Sequence, residues 1–568
     1  MFINDRPAST RIMKTDIEIA YEAEAEPITD IASKLGLGYE EISPYGRYMA
    51  KVPLDVLKRF ERNENGKLIM VTAVTPTPAG EGKTVTTIGL IQGLGKIGKK
   101  VVGALREPSL GPVFGIKGGA TGGGKSQVYP MWNIDLHFTG DIHAVSAAHN
   151  LLSAVVENHL VKGNDLNIDP TRVVLKKAMD MNARELRNVI VGLGGRTVGG
   201  IPHESGFLIT SASEISAILA LSTGYEDLRA RLERIVVAYN MDGEPVTAGS
   251  LGCVGGMMVL LKDAICPNLV QTLEGEPVFV HGFPFANIAH GANSILATRS
   301  ALKMGEYVVT EAGFASDLGG EKFMDIVCRQ SGLSPDCVVI VASVRALMMH
   351  GGADLKDEGT MTLESLKKGL INLDRHIENM KLYGVPLVVS INRFESDTEE
   401  QAEIIGARCK ELGVRCVQSE AFLKGGEGAV DLAEAVVEQC GRSKDFNFLY
   451  KEDASLKSKI ETIATRIYGA GTVSYSAAAD KALSELEKRG FGKLPVCIAK
   501  TQASVTDNAK IKGAPRGWDL NVREVQLSAG AGFVVPVCGS MTLMPGLPSV
   551  PAAMRMDLMP DGKIAGLK

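Results

Sequence analysis

The chain has 568 residues, 45% of them apolar, long enough for two to four domains with well-buried cores. Its net charge of −5 is spread over interspersed acids and bases, which leaves no nucleic-acid footprint, and no uninterrupted apolar run reaches membrane-spanning length. The opening MFINDRPASTRIMKTD lacks the apolar core of a signal peptide, and nine cysteines without a Cys-x-x-Cys pair indicate reduced core thiols in a cytoplasmic protein.

Sixty-three glycines against 5% aromatics suggest many tight turns, as in α/β folds built around phosphate-binding loops. The first strong signal is the apolar run Leu68–Val74, which reads as a buried parallel strand. Thr75-Pro-Thr-Pro-Ala-Gly-Glu-Gly-Lys-Thr84 follows, then an amphipathic helix from about Thr84 to Ile97 with Val85, Ile88, Leu90, Ile91 and Leu94 at helical spacing. Gly98 closes it and Val101–Leu105 starts the next strand. Strand, glycine-rich turn, lysine and helix form a phosphate-binding unit. Backbone N–H groups of Ala79 to Gly82 point at phosphates in this reading, Lys83 reaches the terminal ones and Thr84 takes Mg²⁺. The strict pattern asks for Gly where Thr77 stands, and a glycine-rich turn carrying a surface lysine is the alternative. Arg106 follows the second strand, near the γ-phosphate, where its planar fork suits a carboxylate or acyl phosphate. The alternative is an arginine pairing a surface acid.

Gly119-Ala-Thr-Gly-Gly-Gly-Lys-Ser126 matches the phosphate-loop pattern fully, yet no apolar strand precedes it and Pro130 interrupts any helix after it. It reads as a decoy. Farther on, Pro277–Val280, Tyr307–Thr310, Cys337–Val341 and Leu387–Ile391 read as strands that end in polar or glycine-rich clusters. In parallel sheets ligands bind outside the carboxyl ends of strands, so these clusters are expected to share one crevice with the phosphate loop. Helices over 362–383, 398–412 and 428–440 support a doubly wound, mostly parallel sheet. Leu151–Leu160 and Ser213–Leu219 read as helices and Val189–Gly200 as a glycine-rich link. Beyond Tyr450 come a charged helix to about Tyr468, another over 476–489, and short strands. The division expected is a core of 1–150 with 276–450, an inserted α/β segment 151–275, and a smaller α+β domain 451–568.

The loop Thr77-Pro-Ala-Gly-Glu-Gly-Lys-Thr84 resembles the ATP loop of formate–tetrahydrofolate ligases. So do Leu105-Arg-Glu-Pro-Ser-Leu-Gly-Pro112, the glycine run 115–124, and His137-Phe-Thr-Gly-Asp-Ile-His143. The likeness continues in order through Phe285-Ala-Asn-Ile-Ala-His-Gly291, Thr310-Glu-Ala-Gly-Phe314, Val344–Leu347 with His350–Gly352, Asn392-Arg-Phe394, Lys424–Gly428, Ala499–Gln502 and Leu527–Phe533. This resemblance implies a fold related to P-loop ATPases, a homotetramer, and formate, Mg-ATP and tetrahydrofolate as substrates. It also implies a monovalent cation, potassium or ammonium, and formyl phosphate as intermediate.

By resemblance, Thr77, Pro78, Ala79, Gly80, Glu81, Gly82, Lys83 and Thr84 bind ATP, and Arg106 holds formate and formyl phosphate. Glu107 contacts the cation, or else caps a helix. Phe394 and Phe422 sandwich the pterin with Phe314 near the folate, or else all three are core residues. His137, Asp141 and His143 are candidates for polar contacts or proton relay, or are structural. The chain departs from the family pattern at Lys125, His203, Leu208, Phe283, Phe422 and Ala503, all in loops expected on the acceptor side. Two further functions therefore stand beside the folate ligase: a related ATP-dependent ligase with another acceptor, and a P-loop ATPase switch that makes no small molecule.

Overall fold

The apolar runs along the chain line up into one large sheet in a computed structural model, described for residues 14–78, 80–115, 121–539 and 542–567. Its central strands are β1 (Lys67–Ala73), β2 (Val101–Leu105), β3 (Asn268–Thr272), β4 (Pro277–Val280), β5 (Tyr307–Glu311), β6 (Cys337–Ala342), β7 (Leu387–Asn392) and β8 (Arg415–Ser419). They lie in the order β3-β4-β2-β5-β1-β6-β7-β8. From β4 to β8 every pairing is parallel, while β3 runs antiparallel to β4. Short antiparallel strands complete the sheet beyond β3: Ala50–Lys51, Ser43–Pro44 and Ser126–Tyr129. The fold is thus mixed α/β around a large, mostly parallel sheet.

Strand periodicity divides β1 between two cores, because successive side chains leave opposite faces. Leu68 and Met70 face one core with Leu373, Ile377 and Met380 of helix 363–381. Ile69, Val71 and Ala73 face the other with Ile88, Ile91 and Leu94 of α1 (Lys83–Lys96) and with Leu432 and Val436 of helix 430–440. Burial on both faces explains why these strands read as unbroken apolar runs.

The four later strands and the helices of the core lie within a residue or two of where the apolar pattern puts them. Two stretches differ. The helix expected from Leu151 begins ten residues earlier, as Asp141–Val161, because Gly140 at φ +94° turns the chain into it. The glycine-rich link holds a short strand, Val189–Val191, paired antiparallel with His203–Ser205. Ser126–Tyr129, after the second Gly-Lys-Ser match, is a strand and not the helix a phosphate loop needs; Gly119 and Ala120 lie outside the described residues. Beyond residue 450, helices Leu456–Ile463 and Ala477–Lys488 accompany a sheet of Thr472–Tyr475, Asp519–Ser528 and Phe533–Cys538. All nine cysteines are free thiols, seven of them buried. Among the described residues no helix is long and apolar enough to cross a membrane.

Candidate functional site

The turn between β1 and α1 lies at the carboxyl edge of the sheet, and its own residues hold its shape. Gly80 and Gly82 take φ of +83° and +70°, values that L side chains rarely adopt. At Gly82 a Cβ would sit 2.1 Å from the Asn392 side-chain nitrogen, so glycine is also required for space. The buried Glu81 carboxylate accepts from the Thr77 N–H at 2.6 Å and from the Ser343 hydroxyl. The Asn392 amide donates to the Glu81 carbonyl at 3.1 Å. Ser343 follows β6 and Asn392 ends β7, so the next two strands on one side of β1 brace the turn. Glu81 is therefore fully engaged in shaping the loop. Pro78 lies exposed on the same turn, and Ala79 lies outside the described residues.

Lys83 and Thr84 open α1, where the helix N-terminus favours negative charge. Both contact Glu311, the last residue of β5: Lys83 Nζ at 2.5 Å and Thr84 Oγ1 at 3.0 Å from the same carboxylate oxygen. Burial by itself would raise the Glu311 carboxyl, but Lys83, Arg106 and the Thr84 hydroxyl outweigh it and hold it below its ordinary value. Glu311 is thus an anion facing two cations. Arg106, directly after β2, is half-buried and donates to the Pro284 carbonyl at 3.1 Å. Burial lowers its guanidinium from the ordinary value and Glu311 opposes that. Because β5 lies between β1 and β2, the carboxyl ends of these three strands bring Lys83, Glu311 and Arg106 together.

Beside Arg106, Glu107 is also buried, and its Oε2 has no hydrogen-bond partner among the described residues. Burial, then the charges of Asp141 and Asp180, push its carboxyl well above the ordinary value, against Lys51. Asp141 itself forms a buried ion pair with Lys51 at 2.8 Å and accepts from the Asn268 amide at 2.7 Å. Asp180 Oδ2 and Asn182 Oδ1 are further buried acceptors without a described partner. Among the described residues no three His, Cys, Asp or Glu are grouped to hold a metal ion. His137 and His143 are exposed, and His137 lies close enough to Asp180 to oppose the upward shift that burial gives its carboxyl.

Phe394 and Phe422 stand at the carboxyl ends of the adjacent strands β7 and β8, whose last residues, Asn392 and Ser419, are in register. They are 37% and 36% exposed, a degree of exposure that a core reading of either does not predict. Phe314 is half-buried after β5 and adopts φ +58°, an unusual backbone for a bulky residue. Three of the six departures from the family pattern, His203, Leu208 and Phe283, are buried; Ala503 is half-buried, Phe422 is exposed, and Lys125 is exposed with its N–H on the Phe422 carbonyl.

Sequence reasoning put the segment that opens with Glu311 in the shared crevice but gave Glu311 itself no role, although it ends an apolar strand next to the one that leads into the turn. It also missed the polar chain beneath that turn. His376 bridges the Thr75 hydroxyl at 2.9 Å and the Ser316 hydroxyl at 2.7 Å, and Asn372 donates to Thr75 Oγ1 and to the Gly513 carbonyl. A family model described as formate–tetrahydrofolate ligase matches residues 14–568.

Proposed function

This chain belongs to the formate–tetrahydrofolate ligase family, an ATP-dependent ligase family, and we propose that it joins the two through formyl phosphate formed between Lys83 and Arg106. Formate does not acylate an amine because its leaving group would be oxide. Attack of a formate oxygen on the γ-phosphorus breaks the bond to ADP and makes phosphate the leaving group. The N10 amine of tetrahydrofolate then forms its bond to the formyl carbon, phosphate departs, and the amine gives up its proton. Phosphoryl transfer of this kind needs alignment and charge neutralisation more than covalent help from the protein.

The observation that carries this reading is the cluster of Lys83, Glu311 and Arg106 at three neighbouring strand ends. Lys83 and the turn residues Thr77 to Thr84 would take the ATP phosphates, and Arg106 the formate carboxylate. Glu311 is then the anion that faces Lys83 and Arg106 before substrates arrive. The Thr84 hydroxyl beside the Glu311 carboxylate offers the hard oxygen donors that Mg²⁺ takes, and Mg²⁺ bound there would neutralise charge on the transferring phosphoryl group. The orphaned oxygens of Glu107, Asp180 and Asn182 suit a weakly held monovalent cation and not a tightly chelated divalent one. His137 and Asp141 fit the chemistry less directly, since the first is exposed and the second is engaged by Lys51.

Phe394 and Phe422 are the proposed pterin contacts, supported by their exposure at adjacent strand ends, with Phe314 nearby in sequence to Glu311. A P-loop ATPase-like relationship, the division into a core, an insert and a C-terminal domain, a cytoplasmic location and a homotetramer belong to the same reading. Light scattering on the purified protein tests the last.

The deciding experiment incubates the protein with Mg-ATP, formate, potassium and tetrahydrofolate, then acidifies and reads methenyl absorbance, with ADP measured in parallel. Wild type is expected to form product and Arg106→Ala to lose it. Formate-dependent ADP without methenyl product would instead indicate another acceptor. A folded, ATP-binding protein giving neither signal would sink the formyl phosphate reading.

A further inference from the structure

The loop between β4 and the helix Ile295–Met304 packs directly against Arg106. A Cβ built on Gly313 would meet an Arg106 side-chain nitrogen at 3.2 Å and Ala286 Cβ at 2.5 Å. A Cβ on Gly291 would meet Ala286 Cβ at 2.2 Å, so the loop is packed closely on itself and on Gly313 beside Arg106, whose guanidinium donates to the loop's Pro284 carbonyl at 3.1 Å. His290 precedes Gly291. It is fully buried, yet neither ring nitrogen has a hydrogen-bond partner among the described residues. Burial, then Arg106, Arg231 and Lys322, depress its imidazole to about 3, so it is neutral at working pH, with one nitrogen a donor and the other an acceptor. Buried polar groups are ordinarily satisfied, and leaving two unsatisfied is costly unless a ligand completes them.

We infer that His290 is a second formate-binding residue, donating from its neutral imidazole to one carboxylate oxygen while Arg106 supplies the positive charge. The inference rests on the assignment of Arg106 to formate. A neutral donor is chemically apt here: a second full cation on the carboxylate would draw further charge from the oxygen that must attack phosphorus. Lys322 supports the arrangement from behind, donating its buried ammonium to the Ala286 carbonyl and so fixing the loop.

The test compares His290→Ala and His290→Gln with wild type, measuring KM for formate and for ATP through ADP release, alongside thermal unfolding. His290→Ala is expected to raise the formate KM about 10- to 100-fold, the size of one hydrogen bond to a charged group, with the ATP KM within about twofold. His290→Gln, which keeps a donor, is expected to recover most of the formate affinity. A formate KM unchanged in His290→Ala would overturn the inference, as would equal losses for both substrates that His290→Gln does not relieve. Failure of the underlying assignment is separable: Arg106→Ala would then keep formate-dependent ADP release with an unchanged formate KM.

Discussion

Glu311 illustrates how one buried carboxylate can set the electrostatics of a site. It accepts from both Lys83 and Thr84 and faces Arg106, so its negative charge offsets two cations that are themselves withdrawn from water. Removing one member of such a group is more damaging than exchanging all of them, since the remaining charges stay desolvated. Glu311→Gln is therefore expected to lower the unfolding free energy of the ligand-free protein by about 3–5 kcal/mol. Metal-free ATP should recover more of that loss than it adds to wild type, because its phosphates restore negative charge at Lys83. Denaturant unfolding with and without ATP checks both statements, and an unchanged midpoint for the variant would contradict them. Phe314, three residues on, holds φ +58° and adds a local strain that the packed surroundings sustain.

Helix α1 shows a constraint that belongs to an element. Its buried middle turns would gain from alanine on propensity alone, about 1 kcal/mol for a glycine replaced. Yet a Cβ at Gly89 would lie 2.3 Å from Ala421 Cβ, and one at Gly93 would lie 2.7 Å from the Ala429 carbonyl. These glycines let α1 approach the segment 421–429, which carries Phe422. Gly89→Ala is accordingly expected to destabilise by about 1–3 kcal/mol in spite of better propensity, the usual cost of overpacking. On the reading of Phe422 as a pterin contact, the same change should raise the folate KM. Adding Ala421→Gly should relieve the clash. Equilibrium unfolding of the single and double variants decides it, since a stabilised single variant would mean the two segments move apart at no cost.

Across the whole molecule, the base of the glycine-rich turn is tied to distant segments through buried histidines. His376 bridges Thr75 and Ser316, and His350 joins the Thr75 carbonyl to the Gly513 N–H. Lys500, itself buried, pairs with Asp317 at 2.7 Å, and Asn287 reaches the Lys500 carbonyl and Gln502. Burial depresses His376 to about 4 from its ordinary value of 6.5. The unfolded chain then binds a proton at this position between those values and the native protein does not. Its stabilising contribution is complete above pH 6.5 and declines as pH falls towards 4. Replacing His376 by Asn should flatten the acid limb of stability against pH by about 1.4 kcal/mol per pH unit over that window, whatever the absolute cost of the substitution. Chemical denaturation at a series of pH values gives the two slopes, and parallel limbs would show that His376 titrates normally.

Much of this was legible in the order of residues. Apolar runs of strand length, the turn Thr75–Thr84, α1 and Arg106 after β2 follow from local chemistry: side-chain period, glycine at positive φ, and the donors that an N-terminal helix turn exposes. The rejection of the second Gly-Lys-Ser match rested on local context too, and Ser126–Tyr129 is indeed a strand. Helix 141–161 began earlier than its apolar pattern because a glycine, and not a hydrophobic residue, sets its start. Glu311, His290, and the Thr75–His376–Ser316 chain depended on tertiary structure. The partners of Glu311 and His376 lie 228, 301 and 60 positions away in the Lys83–Glu311, Thr75–His376 and Ser316–His376 contacts. A sequence shows which side chains can donate, accept or carry charge; only the strand order of the folded sheet decides which of them are desolvated together, and desolvation is what makes those contacts strong.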